Sequence, residues 1–350
     1  MDQYQIFHSQ SDGSFSDQAN DLCLQLQAWL NKQGLSRNDL RYSKVFLSDS
    51  INQYDDLLQS SLYRDFLSDA GDSAGAAPVA ARNCTVVEQA PTDGTKIALL
   101  VKTGLDDGFI FQSLRLAPED ITGDSSYLQT LTLFERYING LKEKNLNIRD
   151  HLIRTWIYVA DIDDNYAGIV RARNDVFRRY GLTAETHFVA STGIGGYSQT
   201  RHAKVAIDFL TLPGVKAEQL KYLHATSRLN PTQEYGVAFE RGTRLTLSDK
   251  KMYYISGTAS IDSKGDVLYL GQVEKQVERL LGNIEALLAD GGATMDDVQY
   301  FIIYLRDFAD RAVVGEYMQA HFPQTPFILL HAKVCRPEWL VEMECVAEKY

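Results

Sequence analysis

The stretch His331–Cys345, HAKVCRPEWLVEMEC, contains the residues whose types and spacing are best suited to proton chemistry. Within it, Glu342 and Glu344 alternate with apolar residues, which is the period of a β-strand. The two glutamates should therefore share one face, which we expect to border solvent or a cleft rather than the core. A carboxylate there, seven residues after Cys335 and beside the Arg336-Pro337 turn, could transfer protons. The alternative is a polar outer face on an edge strand.

Length and composition favour a globular protein and exclude several partners. The chain has 350 residues, 45% of them hydrophobic and 23% charged, with a formal net charge of −11. Nucleic-acid binding needs a basic surface, so we expect no nucleic-acid partner. No apolar run approaches the roughly 20 residues of a membrane helix, so we expect no membrane partner either. The first residues, MDQYQIFHSQSDGSFSD, lack the pattern of a secretory signal.

Cysteine and histidine usage predicts a reducing compartment and no metal. The four cysteines are scattered, without a CxxC pair or a disulfide framework, which favours the cytoplasm. The seven histidines show no metal-binding spacing. We therefore expect no metal ion.

A repeated pattern predicts the fold class. Amphipathic helices at 127–141 and 273–288 are each followed by an acidic turn, an apolar strand, a second helix and a further strand. The sequence thus predicts an α+β protein of two tandem units, each a mixed sheet with helices on one face. We place the N-terminal unit at residues 1–212 and the C-terminal, catalytic unit at 213–350. The strands at 97–101 and 109–114 are predicted to pair with each other.

Three further stretches have more than one interpretation. Residues 70–82, rich in small side chains, are interpreted first as a mobile connection between elements and second as a segment of tight backbone packing. The segment 189–196, VASTGIGG, is interpreted first as a tight turn and second as the wall of a site. The segment 220–242 holds aromatic and cationic residues with weak periodicity, so it is either a functional loop or a solvated crossing.

Residues from Tyr235 to the end resemble the RidA/YjgF family. The matching segments are YGVAFERG, ISGTASID, VEKQVERLLGNIEALLADGGATMDDV, FIIYLRD, EYMQAHFP and WLVEMECVA, in that family's order. The resemblance implies a mixed sheet with two helices on one face, and residues 120–212 look like a degenerate second copy. RidA-type imine deaminases carry an arginine on the strand after the FP turn, where this chain has Pro326-Phe327-Ile328-Leu329. That departure weakens the deaminase interpretation.

Nearly the whole chain is similar to the chorismatases. The matching segments are RTWIYVADID, YAGIVRARNDVF, VASTGIGG, LNPTQEYGVAFERGTR, YISGTAS and VCRPEWLVEMEC. The family cleaves the enolpyruvyl ether of chorismate and releases pyruvate without a cofactor. The resemblance places its catalytic glutamate on Glu342 and the cysteine of the 3-hydroxybenzoate-forming members on Cys335. It places their ring-contacting alanine on Ala259.

The two carboxylates of chorismate need cations or phenols as partners. Tyr166 and Arg173 lie seven residues apart on one predicted helix, so they share a face. The resemblance to RidA-type proteins adds a pocket tyrosine at Tyr235 and a pocket glycine at Gly257. The remaining candidates come from the 220–242 segment and are Tyr222, Arg228 and Arg241.

The sequence therefore predicts a chorismatase that forms 3-hydroxybenzoate, alone or with 4-hydroxybenzoate, together with pyruvate. The alternatives are hydrolysis of chorismate to a 3,4-dihydroxycyclohexadiene carboxylate, a RidA-like imine deaminase, and a non-catalytic metabolite-binding protein. The protein is expected to be a monomer or a homotrimer.

Overall fold

The computed structural model of the chain describes residues 2–68, 83–121 and 123–350, apart from the side chain of Tyr235. In these residues the strands form three mixed β-sheets. The stretch 70–82, interpreted from the sequence as a connection, lies outside the described residues.

The elements follow one another along the chain in three groups. The first group comprises β1 (Gln3–His8), α1 (Phe15–Gln33), β2 (Leu40–Leu47), α2 (Ser50–Gln59), β3 (Cys84–Glu88), β4 (Ala90–Pro91) and β5 (Ile97–Thr103). The second comprises β6 (Ile110–Leu114), α3 (Ser126–Glu143), α4 (Ile148–His151), β7 (Leu152–Val159), α5 (Ile162–Arg179), β8 (Ala190–Gly195) and β9 (Val205–Thr211). The third comprises β10 (Leu220–Tyr222), β11 (Gly242–Thr246), β12 (Lys251–Thr258), α6 (Val273–Gly291), β13 (Val298–Leu305), α7 (Arg311–His321), β14 (Phe327–His331) and β15 (Val341–Lys349).

The described sheets share one topology. The first has the order β1-β5-β2-β3, the second β6-β9-β7-β8, and the third contains β12-β15-β13-β14. In each, the strand between the two helices pairs in parallel with the next strand and antiparallel with the last. The predicted α+β class with tandem mixed sheets is confirmed. The structure adds that the region 1–212, predicted as one unit, contains two such sheets. The predicted boundary at 212–213 falls between β9 and β10 and stays a prediction.

Each sheet is buried on both faces, because helices cover one face and the other sheets cover the other. Along β5, Leu99 and Val101 pack in the cluster that contains α1. The alternate residues, Ala98 and Leu100, pack in the central cluster formed by all three described sheets. Strand alternation therefore separates a helix-facing side from a central side. Residues on the central sides therefore determine which chemistry the interior of the molecule can support.

The predicted pairing of the strands around residues 97–101 and 109–114 is wrong. β5 pairs with β1 and β2, whereas β6 pairs with β9 in the second sheet. Since β5 already has a partner on each side, the next strand cannot join it. The chain crosses instead to the following sheet.

Contacts between the sheets join the groups to one another. β4 extends the third sheet by pairing with β14, with Leu330 opposite Pro91. The amide of Gly195 donates a hydrogen bond to the carbonyl of Lys333 at 2.8 Å, which ties β8 to the loop before β15. A Cβ at Gly195 would approach the Lys333 carbonyl oxygen to 2.7 Å, so this position requires glycine. Among the described residues, no helix has the length and apolar character needed to cross a membrane.

Candidate active site

A cavity of about 260 Å³ lies between the second and third sheets. The second group of elements contributes residues of β8 and α5. The third group contributes residues of β12, β15 and the loop before β15. Its lining includes apolar, cationic and titratable side chains, as is usual for a small-molecule site. The lining residues are Tyr166, Arg173, Ser191, Gly193, Val237, Phe239, Arg241, Gly257, Ala259, Ile261, Cys335, Arg336, Trp339 and Glu342.

Glu342 provides the acidic group of this cavity. It lies on β15 opposite Tyr304 of β13, and only 4% of its surface is exposed. Burial, and to a smaller extent the nearby carboxylate of Glu344, raise the pKa of Glu342 to about 8, although Arg241 acts in the opposite direction. The carboxyl group is therefore mainly protonated at neutral pH and can act as an acid.

Gly257 makes room for this carboxyl group. A Cβ at Gly257 would overlap Oε1 of Glu342 and would lie 3.0 Å from its Cδ. The amide of Gly257 donates a hydrogen bond to Oγ1 of Thr192 at 3.0 Å, which fixes the backbone beside the acid. Any larger residue would displace the acid from its position.

The equivalent positions in the other sheets do not carry an acid. Glu342 follows the first residue of its strand and pairs with the next-to-last residue of the central strand. The residues in the same register are Ala206 in the second sheet and Ala98 in the first. The repeated fold therefore supplies a glutamate at one of these positions, between the second and third sheets.

Glu344 shares the face of Glu342 but has a different environment. Its Oε1 accepts a hydrogen bond from Nε1 of Trp156 at 2.8 Å, and its Oε2 forms an ion pair with Arg154 at 3.0 Å. Both glutamates are almost completely buried. The predicted solvent or cleft face is thus correct for Glu342, which borders the cavity, and wrong for Glu344, which faces the centre where the sheets meet. Since its carboxylate is paired, Glu344 does not compete with Glu342 for the acid role.

Cys335 and Tyr166 form a second titratable pair in the cavity. A hydrogen bond links the thiol of Cys335 with the phenol of Tyr166. Burial, with the charge of Glu342, raises the pKa of Cys335 to about 12, so the group is a thiol at neutral pH. The Tyr166 ring rests on β8, where a Cβ at Gly193 would lie 3.1 Å from Cε2 of the ring.

Arginines give the cavity a positive potential within an acidic protein. Arg173 and Arg241 are 2% and 6% exposed, and both guanidinium groups lie over the ring of Phe239, at 5.8 and 5.5 Å. Asn230 accepts hydrogen bonds from Nη2 of Arg241 at 3.1 and 3.2 Å. Arg336 lies over the ring of Trp339 at 4.8 Å. With Glu342 neutral, these cations favour a ligand with more than one negative charge.

The structure brings together most of the predicted site residues. Glu342, Cys335, Tyr166, Arg173, Arg241, Gly257 and Ala259 all line the cavity. Tyr222 does not line the cavity, because it lies on β10 at the edge of the third sheet. The ring of Tyr222 stacks there on His187, with the ring centroids 4.8 Å apart. Arg228 does not line the cavity either, since its guanidinium group packs against α6 near Gly282. The side chain of Tyr235 lies outside the described residues.

Sequence reasoning assigned the glycine-rich segment 189–196 incorrectly and missed two aromatic walls. The segment forms β8 rather than a tight turn, and its Ser191 and Gly193 line the cavity, as the second interpretation proposed. Phe239 and Trp339 were not predicted. Their closeness in the sequence to Arg241 and Arg336 could have identified them as site residues, because guanidinium groups often stack on aromatic rings.

Comparisons with known proteins agree with this architecture. The family profile described as Endoribonuclease L-PSP matches residues 237–349. A RutC family protein of Pyrococcus abyssi is 30% identical over 98 residues, which are 27% of this chain and 77% of that protein. The 3-aminoacrylate deaminase RutC of Acinetobacter baylyi is 28% identical over 96 residues, covering 27% of this chain and 76% of that protein.

A solved structure matches along the whole chain. A crystal structure of a chorismatase superposes with a TM-score of 0.66 and 18% identity, covering 99% of this chain and 98% of that one. The predicted resemblance of the C-terminal region is therefore confirmed. The wider resemblance is confirmed at the level of the fold.

Proposed function

We propose that this chain, which belongs to the RutC family through its C-terminal region, is a chorismatase. In this proposal it cleaves the enolpyruvyl ether of chorismate and releases pyruvate. The proposal is supported by the chorismatase fold along the whole chain and by the contents of the cavity.

The observation that carries the proposal is the environment of Glu342. A buried carboxyl group with a pKa of about 8 is an acid at neutral pH. It lies in a cavity lined by Arg173, Arg241 and Arg336, which suits a dianion. Chorismate combines the two requirements, because it carries two carboxylates and an enol ether that breaks after protonation at carbon.

The chain's residues divide the work between binding and proton transfer. The arginines hold the two carboxylates, and the aromatic rings of Phe239 and Trp339 flank the guanidinium groups and keep them in place. Glu342 delivers its proton to the methylene carbon of the enolpyruvyl group. The resulting cation weakens the bond between the ring carbon and the ether oxygen, and that oxygen leaves as the carbonyl of pyruvate.

For the ring we propose the route to 3-hydroxybenzoate. The neighbouring ring hydroxyl oxygen attacks the carbon that the ether oxygen leaves and passes its proton back to the Glu342 carboxylate, giving an arene-oxide-like intermediate. Its opening and the loss of a ring proton give 3-hydroxybenzoate, and this balance consumes no water. Cys335 supports the step because its protonated thiol can donate to the oxygen of the intermediate. Ala259 limits the space next to the ring, as it lines the same cavity.

The test is incubation of the pure protein with chorismate, with pyruvate followed through lactate dehydrogenase and the ring product separated by chromatography. We expect pyruvate and 3-hydroxybenzoate from the native protein and no pyruvate from Glu342→Gln. The matched control is Glu338→Gln, an exposed glutamate in the same segment, which should keep full activity. Pyruvate release by a folded Glu342→Gln protein would refute the acid role.

Other outcomes distinguish the alternatives. Pyruvate with the dihydroxycyclohexadiene carboxylate would retain Glu342 as the acid and remove the role of Cys335. Ammonia release from 2-aminoacrylate would favour deamination, the activity in the name of the Acinetobacter relative. Chorismate binding without turnover would favour the non-catalytic interpretation.

The cytoplasmic location and the choice between monomer and homotrimer stay predictions.

A further inference from the structure

A second cavity, of about 160 Å³, lies at the centre of the molecule, where the three described sheets meet. We call it the axial cavity. Its residues come from strands of every sheet and from the loop 104–109, whose Leu105 is 72% exposed at the rim. The lining residues are Tyr4, Arg41, Tyr42, Asn83, Lys102, Leu105, Asp106, Asp107, Phe109, Phe111, Trp156, Leu210, Met252, Tyr254, Tyr300 and Val346. It shares no lining residue with the candidate active site.

The walls of the axial cavity are mainly aromatic. Tyr42 lies edge-on to Phe111 at 4.7 Å and nearly parallel to Trp156 at 6.3 Å. On another wall, Tyr4 lies 5.3 Å from Tyr300. Rings in these orientations present both faces and edges to the space between them, which suits a planar aromatic guest. A cavity of this size is large enough for a benzene ring.

Two donors in this wall lack an acceptor. The hydroxyl of Tyr42 and Nε of Arg41 are buried, and neither has a hydrogen-bond partner among the described residues. The register of β2 against β5 shifts between Leu40 and Tyr42, and such a bulge lets neighbouring side chains reach one side of a sheet. Buried donors without partners are costly, so their occurrence in a cavity indicates an occupant that accepts hydrogen bonds.

Lys102 and Asp107, two other charged groups of the cavity, are already paired, and Asp106 accepts a hydrogen bond from the amide of Gly108. Lys102 lies 2.6 Å from Asp2 and 3.5 Å from Asp107. Lys250 reinforces the same pair of aspartates, at 2.6 and 3.0 Å. These groups close one side of the cavity without requiring a ligand. The unmet hydrogen-bonding capacity is therefore on the side of Arg41 and Tyr42.

We propose that the axial cavity is a second small-molecule site, which binds a planar aromatic compound bearing an oxygen acceptor, of the size of benzoate. The ring lies between the aromatic walls, and the oxygen accepts hydrogen bonds from Tyr42 and Arg41. This site is separate from the cavity that contains Glu342 and does not depend on the reaction proposed there.

Tryptophan fluorescence can observe the axial cavity separately from the candidate active site. Trp156 lines the axial cavity and Trp339 lines the candidate active site, while Trp29 packs against Phe7 beside the first sheet. In a Trp339→Phe protein, titration with benzoate should therefore produce a saturable change in the emission of Trp156. Adding Tyr42→Phe should raise the dissociation constant by about threefold to tenfold, the usual effect of one lost hydrogen bond.

Tyr304→Phe is the matched control. Tyr304 also has a buried hydroxyl without a partner among the described residues, but it lines neither cavity. In the Trp339→Phe background it should leave the benzoate titration unchanged. Thermal unfolding of each variant shows whether folding is retained. A Trp156 signal that does not saturate with benzoate would overturn the proposal. A dissociation constant that is unchanged after Tyr42→Phe would overturn it too, and the cavity would then contain solvent.

Discussion

Replacing Glu342 with glutamine should change the free energy of unfolding in a way that depends on pH. The folded protein holds the pKa of Glu342 at about 8, above its ordinary value of 4.5, because the carboxyl group is buried near Glu344. Between these values the folded state binds one more proton than the unfolded state, so the native protein loses stability as the pH rises. The loss is about 1.4 kcal/mol per pH unit, or about 5 kcal/mol across the whole window. Glutamine cannot ionise, so the variant avoids this loss.

The assay is denaturant unfolding of the native and Glu342→Gln proteins at intervals between pH 4.5 and 9. The variant should gain stability relative to the native protein by several kcal/mol between pH 5 and pH 8, and the difference should level off above about 8. Glu338→Gln, which alters an exposed glutamate, should show no such trend. A difference between native protein and Glu342→Gln that is independent of pH would mean that Glu342 ionises normally in the folded state. The assignment of Glu342 as the acid would then be untenable.

Further predictions concern the activity and the buried ion pair. With chorismate as substrate, kcat/KM should fall about tenfold per pH unit above about 8, as Glu342 loses its proton; activity that is constant to pH 10 would argue against an acid there. Gly257→Ala should reduce pyruvate release about 100-fold with an unchanged circular dichroism spectrum, because its Cβ displaces the carboxyl group; near-native rates would contradict this. Cys335→Ala should keep pyruvate release but divert the ring product from 3-hydroxybenzoate to the non-aromatic diol, and chromatography showing an unchanged product would remove its role. Arg154→Met should destabilise the protein by roughly 3–5 kcal/mol in denaturant unfolding, because it leaves the buried charge of Glu344 uncompensated; a loss below about 1 kcal/mol would mean that water reaches this carboxylate.

Local patterns in the sequence were sufficient for the elements and for part of the site. The helical periodicity at 127–141 and 273–288 corresponds to α3 and α6, and the alternation around Glu342 corresponds to β15. These patterns depend on which residues face apolar surroundings within one element, and a sequence displays that directly. Tyr166 and Arg173 were placed on one helix face for the same reason.

Long-range placement could not be obtained in this way. Tyr222 and Arg228 have suitable chemistry, but the edge position of β10 and the packing on α6 keep them away from the cavity. The glycine-rich β8 was interpreted as a turn because glycine favours turns, whereas here it admits the ring of Tyr166 and the backbone of Lys333. The N-terminal sheet escaped notice because its repeat exists in topology rather than in residue identity.

The sequence by itself determined the alternation that puts Glu342 and Glu344 on one face, and the presence of a thiol and arginines suited to a dianion. Only the tertiary structure decided that the two glutamates differ. Glu344 meets Arg154 and Trp156 from another sheet and stays paired, whereas Glu342 reaches a cavity between sheets with no cation in direct ion-pair contact in the described residues. The physical reason is that a pKa depends on desolvation and on neighbouring charges. Both are set by residues far apart in the chain, which come together only when the sheets close around the centre.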